Sequence, residues 1–454
     1  MLTPPRSLWW STLDQPVVPR AAFQGHRDVD VAIVGGGFTG LWTARELLRR
    51  DPSLRIAIFE KSVCGFGASG RNGGWASALY PISDEKVEKS YGSEALRHQR
   101  ELLRTAVDTL GRCLSEDGID ADFVKGGTLT FARSDMQRTR LESATQRSDD
   151  VWLSPNELSS FGSVAGALGA SYSAHCARIH PGKMVRGLST VVEKLGATIY
   201  EESEVLRIIP KGRQAAQVVT VSGSVHATYV VRATEGFTST LPSLRRAVAP
   251  VYSLMIASAP QSDSFWDAHG FSQFPTFTDD RNLIIYGQRT ADNRIAFGGR
   301  GAPYHFGSTV EERFDQNEKV FAELERTLRE LFPDVENPRK FQWGGPLGMT
   351  RDLSPFVRVD HSTGLCSAGG YTGDGVVLSH VAATALADLI VTPDQETDFT
   401  KLTFVHHRSR SWEPEPLRWL GINAGLALAQ WADRTERRKN KSSKASVLLE
   451  KLLG

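Results

Sequence analysis

Cysteine is scarce in this chain. Four residues in 454, Cys64, Cys113, Cys176 and Cys366, stand far apart with no C-x-x-C spacing. That excludes a thiol-ligated zinc site of common spacing and a disulfide-built scaffold. Excess charge of either sign is also missing. The formal net charge is +1, which leaves no broad basic face for nucleic acid. No apolar run reaches the roughly 18 residues of a membrane span. The opening MLTPPRSLWWSTLDQP lacks the basic-then-apolar order of a secretory leader, so a cytoplasmic protein is expected. The 11 histidines show no ligand spacing, and no metal site is expected.

The composition is otherwise globular, with 40% hydrophobic and 23% charged residues, and the length suggests two or three domains. Residues 28–60 read as strand, glycine turn, helix, strand. Residues 84–145 read as helices with one strand at Gly127–Ala132. A helix is expected at 183–195, β-branched runs over 198–232 and an antiparallel sheet over 247–300. A charged helix follows at 311–331, and 364–391 repeats the strand, glycine turn, helix order. Residues 434–444 are polar and basic and read as mobile. This layout predicts an α/β plus α+β protein: a discontinuous Rossmann-like dinucleotide domain with an inserted domain on an antiparallel sheet.

The first glycine turn carries the sharpest signal. Val29, Val31 and Ile33 lead into Gly35-Gly36-Gly37-Phe38-Thr39-Gly40, which fits G-x-G-x-x-G at Gly35, Gly37 and Gly40. An amphipathic helix follows, then Ile56–Phe59, and Glu60 stands 20 residues past Gly40. Gly35 permits the tight turn, Gly37 lets a pyrophosphate approach the backbone, and Gly40 lets helix and strand pack closely. The helix N-terminus offers N–H groups to phosphate, and Glu60 is an acceptor for ribose hydroxyls.

Two further glycine segments point the same way. Gly65–Gly74 has five glycines in ten residues around Ser69, Arg71 and Asn72. Its backbone suits a flat ring or a pyrophosphate face, and Arg71 suits phosphate. Gly369-Gly370-Tyr371-Thr372-Gly373-Asp374-Gly375-Val376 opens a second helix, another site for developing negative charge.

The stretches DVAIVGGGFTGL (30–41), GFGASGRNGG (65–74), KSYG (89–92), His180-Pro181, RATEGF (232–237), TADNRIAFGG (290–299) and GGYTGDGV (369–376) run in order across nearly the whole chain. Together they resemble the D-amino-acid-oxidase-like FAD oxidoreductases, the group containing glycine and sarcosine oxidases. The resemblance implies an FAD domain from 1–80, 176–245 and 345–395, a substrate domain from 81–175 and 246–344, and a helical extension with a basic tail from 396–454. It implies FAD as cofactor and oxidation of a C–N bond in a small amine or amino acid. It maps Gly35, Gly37, Phe38, Thr39, Gly40, Glu60, Lys61, Ser69, Arg71, Asn72, Gly73, Gly74, Val205, Thr234, Gly370, Gly373, Asp374, Gly375 and Val376 onto the cofactor site. Asp374 stands where relatives usually carry histidine. No histidine or cysteine attachment point occurs in 65–74 beyond the neighbouring Cys64, so noncovalent FAD is expected.

For the chemistry itself, Tyr286, Trp343 and Tyr371 are candidates for an aromatic wall around an amine. Arg300 is a candidate carboxylate clamp and Asp374 a candidate substrate contact. No lysine occurs from Arg281 to Pro303, where some relatives keep an oxygen-activating lysine, so the electron acceptor stays open between O2 and another molecule. A 2-hydroxy-acid dehydrogenase and a non-catalytic flavoprotein recruited through its C-terminal helix are the rival readings. That helix, with Leu417, Leu420, Ala424, Leu428 and Trp431 in register and a basic stretch to 444, suits a partner subunit or a membrane surface.

Overall fold

The computed structural model describes residues 7–299, 301, 303–439, 443 and 445. Two large sheets organise it. The first runs Phe356–Asp360, Leu365–Gly369, Gly223–Arg232, Gly25–Val34, Ile56–Phe59, Thr198–Tyr200, with the hairpin Val205–Ile209 and Ala216–Thr220 attached to Gly223–Arg232. Its central pairs are parallel, with Val34 opposite both Phe59 and Arg232. Ile33, Ile58 and Val231 are fully buried, as expected for strands covered on both faces. Helices Phe38–Arg50, Pro181–Lys194 and Gly375–Val391 bury Leu41, Trp42, Leu188 and Leu386 in the same core.

The second sheet runs Phe341–Met349, Ala249–Ala257, Ile295–Gly299, Ile285–Arg289, Thr276–Asp279, Thr128–Phe131, Ala170–Ser173, Val151–Leu153. Every pairing is antiparallel except Thr276–Asp279 with Thr128–Phe131. One face carries the core of Leu129, Phe131, Ile256, Phe277 and Phe297, covered by Phe321, Leu324 and Leu328 of helix Glu318–Leu331. The expected antiparallel block at 247–300 is therefore present.

Several boundaries differ from the expectation. The strand expected to divide at 345 runs unbroken from Phe341 to Met349 and pairs along its whole length with Ala249–Ala257, so it belongs to the second sheet. Helix Ser93–Glu116, expected in the substrate domain, buries Leu103, Ala106, Val107 and Leu110 in the first core. Leu402, Phe404 and Val405 also enter that core, so the terminal extension departs later than 396. The helix expected at 311–331 starts at Glu318, where Asn317 accepts a hydrogen bond from Val320 N and ends the loop before it. The basic stretch read as mobile from 434 is helical as far as Lys439. Asp433 accepts hydrogen bonds from Asn282 N and Leu283 N, and Arg437 pairs with Glu330, which fix it to the turn between strands Thr276–Asp279 and Ile285–Arg289 and to helix Glu318–Leu331. Residues 440–442 and 444 lie outside the described residues.

Candidate functional site

The first glycine turn is dictated by close contacts. Gly35 has φ +111°, and a Cβ there would stand 2.4 Å from the Ala233 carbonyl oxygen. A Cβ on Gly40 would stand 2.0 Å from the Gly35 carbonyl oxygen. Gly37 occupies the N-cap of helix Phe38–Arg50 and has no side chain to cap it. The cap comes from the second glycine segment instead: Ser69 Oγ accepts from Phe38 N at 2.8 Å. Glu60 closes the turn from the other side, accepting from Gly36 N at 2.9 Å and Ser62 N at 3.0 Å. Burial raises its carboxyl pKa, and these N–H groups oppose the rise.

The loop Gly65–Gly74 is held by side chains from distant parts of the chain. Three successive carbonyls each accept one indole or amide N–H. Trp343 Nε1 reaches Arg71 O at 2.9 Å, Trp9 Nε1 reaches Asn72 O at 2.8 Å, and Gln288 Nε2 reaches Gly73 O at 2.8 Å. Asn72 spans the loop internally, donating to Ala68 O and Ser69 O and accepting from Gly74 N. With its carbonyls turned away and tied, the loop is fixed as a surface for a ligand.

The third segment is tied to the first by Thr39 Oγ1 and Tyr371 OH, 3.1 Å apart. Beneath it lies Glu235, whose carboxylate accepts from Gly370 N at 2.9 Å and Gly348 N at 3.3 Å. Burial pushes its pKa up to about 7, against the pull of these donors, Tyr371 N and Arg232. Glu235 therefore joins the turn after Gly223–Arg232, the third glycine loop and the second sheet.

Two adjoining voids result. The first, of about 320 Å³, is lined by Gly35, Gly37, Phe38, Thr39, Glu60, Lys61, Ser69, Arg71, Asn72, Val205, Thr234, Gly373, Gly375 and Val376. Gly40, Gly74 and Gly370 do not line it; they are glycines because their neighbours leave no room. A Cβ on Gly74 would stand 1.9 Å from Gln288 Nε2, and one on Gly370 2.7 Å from Thr350 Cγ2. Lys61 sits at the rim, paired with Glu204 at 2.8 Å. The second void, of about 1740 Å³, opens from Arg71, Asn72, Gly73 and Asp374 onto the second sheet. Its wall follows the strand period of two. Leu129 and Phe131 point to the core, while Thr128, Thr130, Ser171, Ser253, Thr278 and Tyr286 face the chamber.

The candidate residues divide accordingly. Tyr286 lines the chamber, its OH 2.7 Å from Ser253 Oγ. Trp343 does not line it: the ring is 1% exposed in a cluster with Leu8 and Trp9, and its work is to hold Arg71 O. Tyr371 lines the first void rather than the chamber, with its phenol bonded to Thr39. The three aromatics expected to share one wall are therefore split between chamber, core and cradle; beside Tyr286 the chamber is lined by Trp75, Tyr80, Leu79 and Ile82, with the hydroxyls confined to its sheet side. Asp374 lines the chamber at the N-cap of helix Gly375–Val391 and makes no capping hydrogen bond with its side chain. Arg71, expected on phosphate, is engaged elsewhere. It pairs with Asp315 at 2.6 Å, donates to Gly344 O at 3.0 Å and lies over Phe66. Burial pushes Asp315 up to about 6, against Arg71. Arg300 lies outside the described residues.

Sequence reasoning missed Trp9, Glu235, Gln288, Ser253 and Asp315. Two had a readable signal. The Trp9-Trp10 doublet is a large apolar pair near the start of the chain, and Glu235 is an acid inside a Thr-x-Gly turn directly after a strand.

The residues present fit a dinucleotide with a ring system. A groove of helix-start N–H groups and Glu60 adjoins a pinned glycine surface, and that surface faces a second helix N-terminus. Comparison with known proteins agrees. The family model for the FAD dependent oxidoreductases, DAO, matches residues 30–389. "Probable oxidoreductase OrdL" of Rhizobium meliloti (strain 1021) is 28% identical over 88% of this chain and 91% of its own. Gamma-glutamylputrescine oxidoreductase of Escherichia coli (strain K12) is 28% identical over 80% and 83%. Among solved structures, glycine oxidase from Geobacillus kaustophilus superposes with a TM-score of 0.69 at 23% identity, over 84% of this chain and all of that one. That likeness carries the fold.

Proposed function

The chain belongs to the FAD-dependent oxidoreductase family matched over residues 30–389, and we propose that it oxidises a C–N bond in a small amine or amino acid. The observation that carries this reading is the cradle's opening, between Asn72–Gly73 and Asp374, onto a chamber lined by hydroxyls on its sheet side and by apolar and aromatic side chains such as Trp75, Leu79 and Tyr80. The names of the relatives, which include a gamma-glutamylputrescine oxidoreductase and a glycine oxidase, support the substrate class. When bound, FAD supplies a hydride acceptor at N5, so that the substrate carbon gives up hydride, its nitrogen a proton, and water hydrolyses the imine.

The chain's own contribution is positioning. The carbonyls of Arg71, Asn72 and Gly73 are anchored, so the ring face of the cradle does not shift when substrate enters. Ser253 and Tyr286 present a hydroxyl pair that accepts an N–H or donates to a lone pair. A neutral amine is favoured over an ammonium where water is excluded. Asp374 places a carboxylate at the mouth between cradle and chamber, which suits a cationic substrate end better than a second carboxylate. FAD is held without a covalent bond in this reading. Cys64, the cysteine beside the cradle, is buried, and its thiol is raised well above the usual range by burial and by Glu201.

The test is an anaerobic bleaching panel of amines, amino acids and 2-hydroxy acids. Bleaching by an amine or amino acid is the expected result, with FAD released on acid precipitation. Bleaching by 2-hydroxy acids alone would replace the substrate class. No bleaching by any member would favour a non-catalytic flavoprotein. Admitting O2 to the reduced protein then separates an oxidase from an enzyme with another acceptor.

A further inference from the structure

The C-terminal helix Leu417–Lys439 turns most of the expected apolar seam outward. Its covered side holds Arg418, Ala429, Ala432 and Glu436, each under a tenth exposed. Leu417, Leu420 and Trp431 are 60%, 51% and 56% exposed, and Trp419 is 39% exposed on the flank. Thirteen large apolar side chains are exposed among the described residues, and these four belong to one helix. Two more adjoin it. Phe306 is 58% exposed beside Gly307, whose N–H donates to Glu415, and Ile284 is 42% exposed next to Leu283, whose N–H donates to Asp433. A patch of this kind on an otherwise well-covered surface marks a contact.

Charge along the helix identifies what the contact is with. Leu417, Leu420, Ala424, Ala427, Trp431, Arg434 and Arg438 fall on one face, apolar for its first turns and basic for its last. The two acids of the same stretch are used elsewhere: Asp433 holds Asn282 and Leu283, and Glu436 holds Asn282 and Ser443. The sequence continues with Lys439, Lys441 and Lys444. The same helix of a second copy, packed antiparallel on this face, would set Arg434 and Arg438 against apolar side chains with no carboxylate opposite, a costly burial. A bilayer surface meets both halves at once. Leucine and tryptophan enter the acyl boundary, and arginine side chains extend to phosphate oxygens. No helix among the described residues is long and apolar enough to cross a membrane, so the helix would lie in the plane. We propose that helix Leu417–Lys439 seats this protein on an anionic lipid surface. The rim of the substrate chamber at Ile284 then stands beside that surface. The proposal does not depend on which substrate the chamber takes.

The test is co-sedimentation of the full-length, FAD-loaded protein with phosphatidylcholine vesicles and with vesicles containing half phosphatidylglycerol, at low and high salt. Binding to the anionic vesicles, weakened by salt, is expected. The double variant Arg434→Gln, Arg438→Gln should lower the partition coefficient by about 30-fold. Leu420→Asp with Trp431→Asp should abolish binding while the flavin spectrum and anaerobic bleaching stay as in wild type. No binding to either vesicle at low salt would overturn the proposal, as would binding that both variants retain. A concentration-dependent dimer dissolved by Leu420→Asp with Trp431→Asp would overturn it in favour of a second copy.

Discussion

In the glycine cradle, the wall offered to a ligand is formed chiefly by the chain around residues 35–39, 66–72 and 371–376, with Glu60 beside it. In the chamber the sheet side offers side-chain hydroxyls of Thr128, Thr130, Ser171, Ser253, Thr278 and Tyr286, carried on five strands. The cradle recognises by backbone shape, so it tolerates little change at its glycines and much variation around them. The chamber recognises by side chains on a stiff sheet, so single substitutions alter preference without disturbing the fold. The border between the two is held by Trp9, Gln288 and Trp343, which reach from the N-terminal segment and the second sheet to the cradle's carbonyls.

This contrast is broken most severely at Gly40. Gly40→Ala puts a methyl carbon 2.0 Å from the Gly35 carbonyl oxygen, backbone that cannot yield cheaply. FAD affinity should fall by about 100-fold or more, measured by fluorescence titration of the deflavinated protein. Gly421→Ala, where a Cβ meets nothing within 4 Å, should leave it unchanged.

Glu60→Gln tests the cradle acid that the sequence pattern assigns to the ribose. The amide can accept on one side only, whereas the carboxylate accepts from Gly36 N and Ser62 N on its two oxygens. FAD binding should weaken by about 1–3 kcal/mol. The limiting reduction rate at saturating FAD should stay within about twofold, because Glu60 does not line the chamber.

Glu235 sits where cradle and second sheet meet, and its effect is on stability. Burial raises its pKa from 4.5 to about 7. The stability it contributes is full below pH 4.5 and is lost as pH rises through about 7, since the native state keeps a proton the unfolded chain has released. Wild type should lose on the order of 3 kcal/mol across that window relative to Glu235→Gln, read from melting curves. Parallel curves for the two proteins would show that Glu235 does not titrate there.

The smallest effect is expected at the chamber wall. Tyr286→Phe removes the partner of Ser253 Oγ, a hydrogen bond of 2.7 Å. A change of about 0.5–1.5 kcal/mol in kcat/KM, with FAD affinity unchanged, would keep the two regions separate. Loss of FAD in this variant would join them.

The same contrast decides what could be read from the sequence. Gly35, Gly37, Gly40 and Glu60 lie within 26 residues, and their spacing follows from one strand, one turn and one helix. The third segment repeats that local logic. Trp343 was readable as an aromatic residue but not as the donor to Arg71 O, because those two positions are 272 residues apart. Arg71 looked like a phosphate ligand because its partner, Asp315, sits 244 residues away. The hydroxyl wall escaped for another reason. Serine and threonine alternating with apolar residues mark a half-buried strand, and only the packing of two sheets decides whether the polar face meets water or a ligand. The terminal helix was legible as amphipathic, but its outward face is set by Asp433 and Glu436 on Asn282, again a long-range pairing.

If this chamber oxidises an amine at its C–N bond, bound substrate must lose the ammonium proton before or during reduction, because a nitrogen without a lone pair cannot drive hydride loss. The most direct measurement is the limiting anaerobic reduction rate against pH for a series of amines of graded pKa. Rates should rise with pH and level off, with an inflection that follows each amine's own pKa, displaced downward by a constant amount. Rapid bleaching by 2-hydroxy acids, with every amine and amino acid leaving the flavin oxidised at all pH values, would contradict C–N oxidation by this chamber.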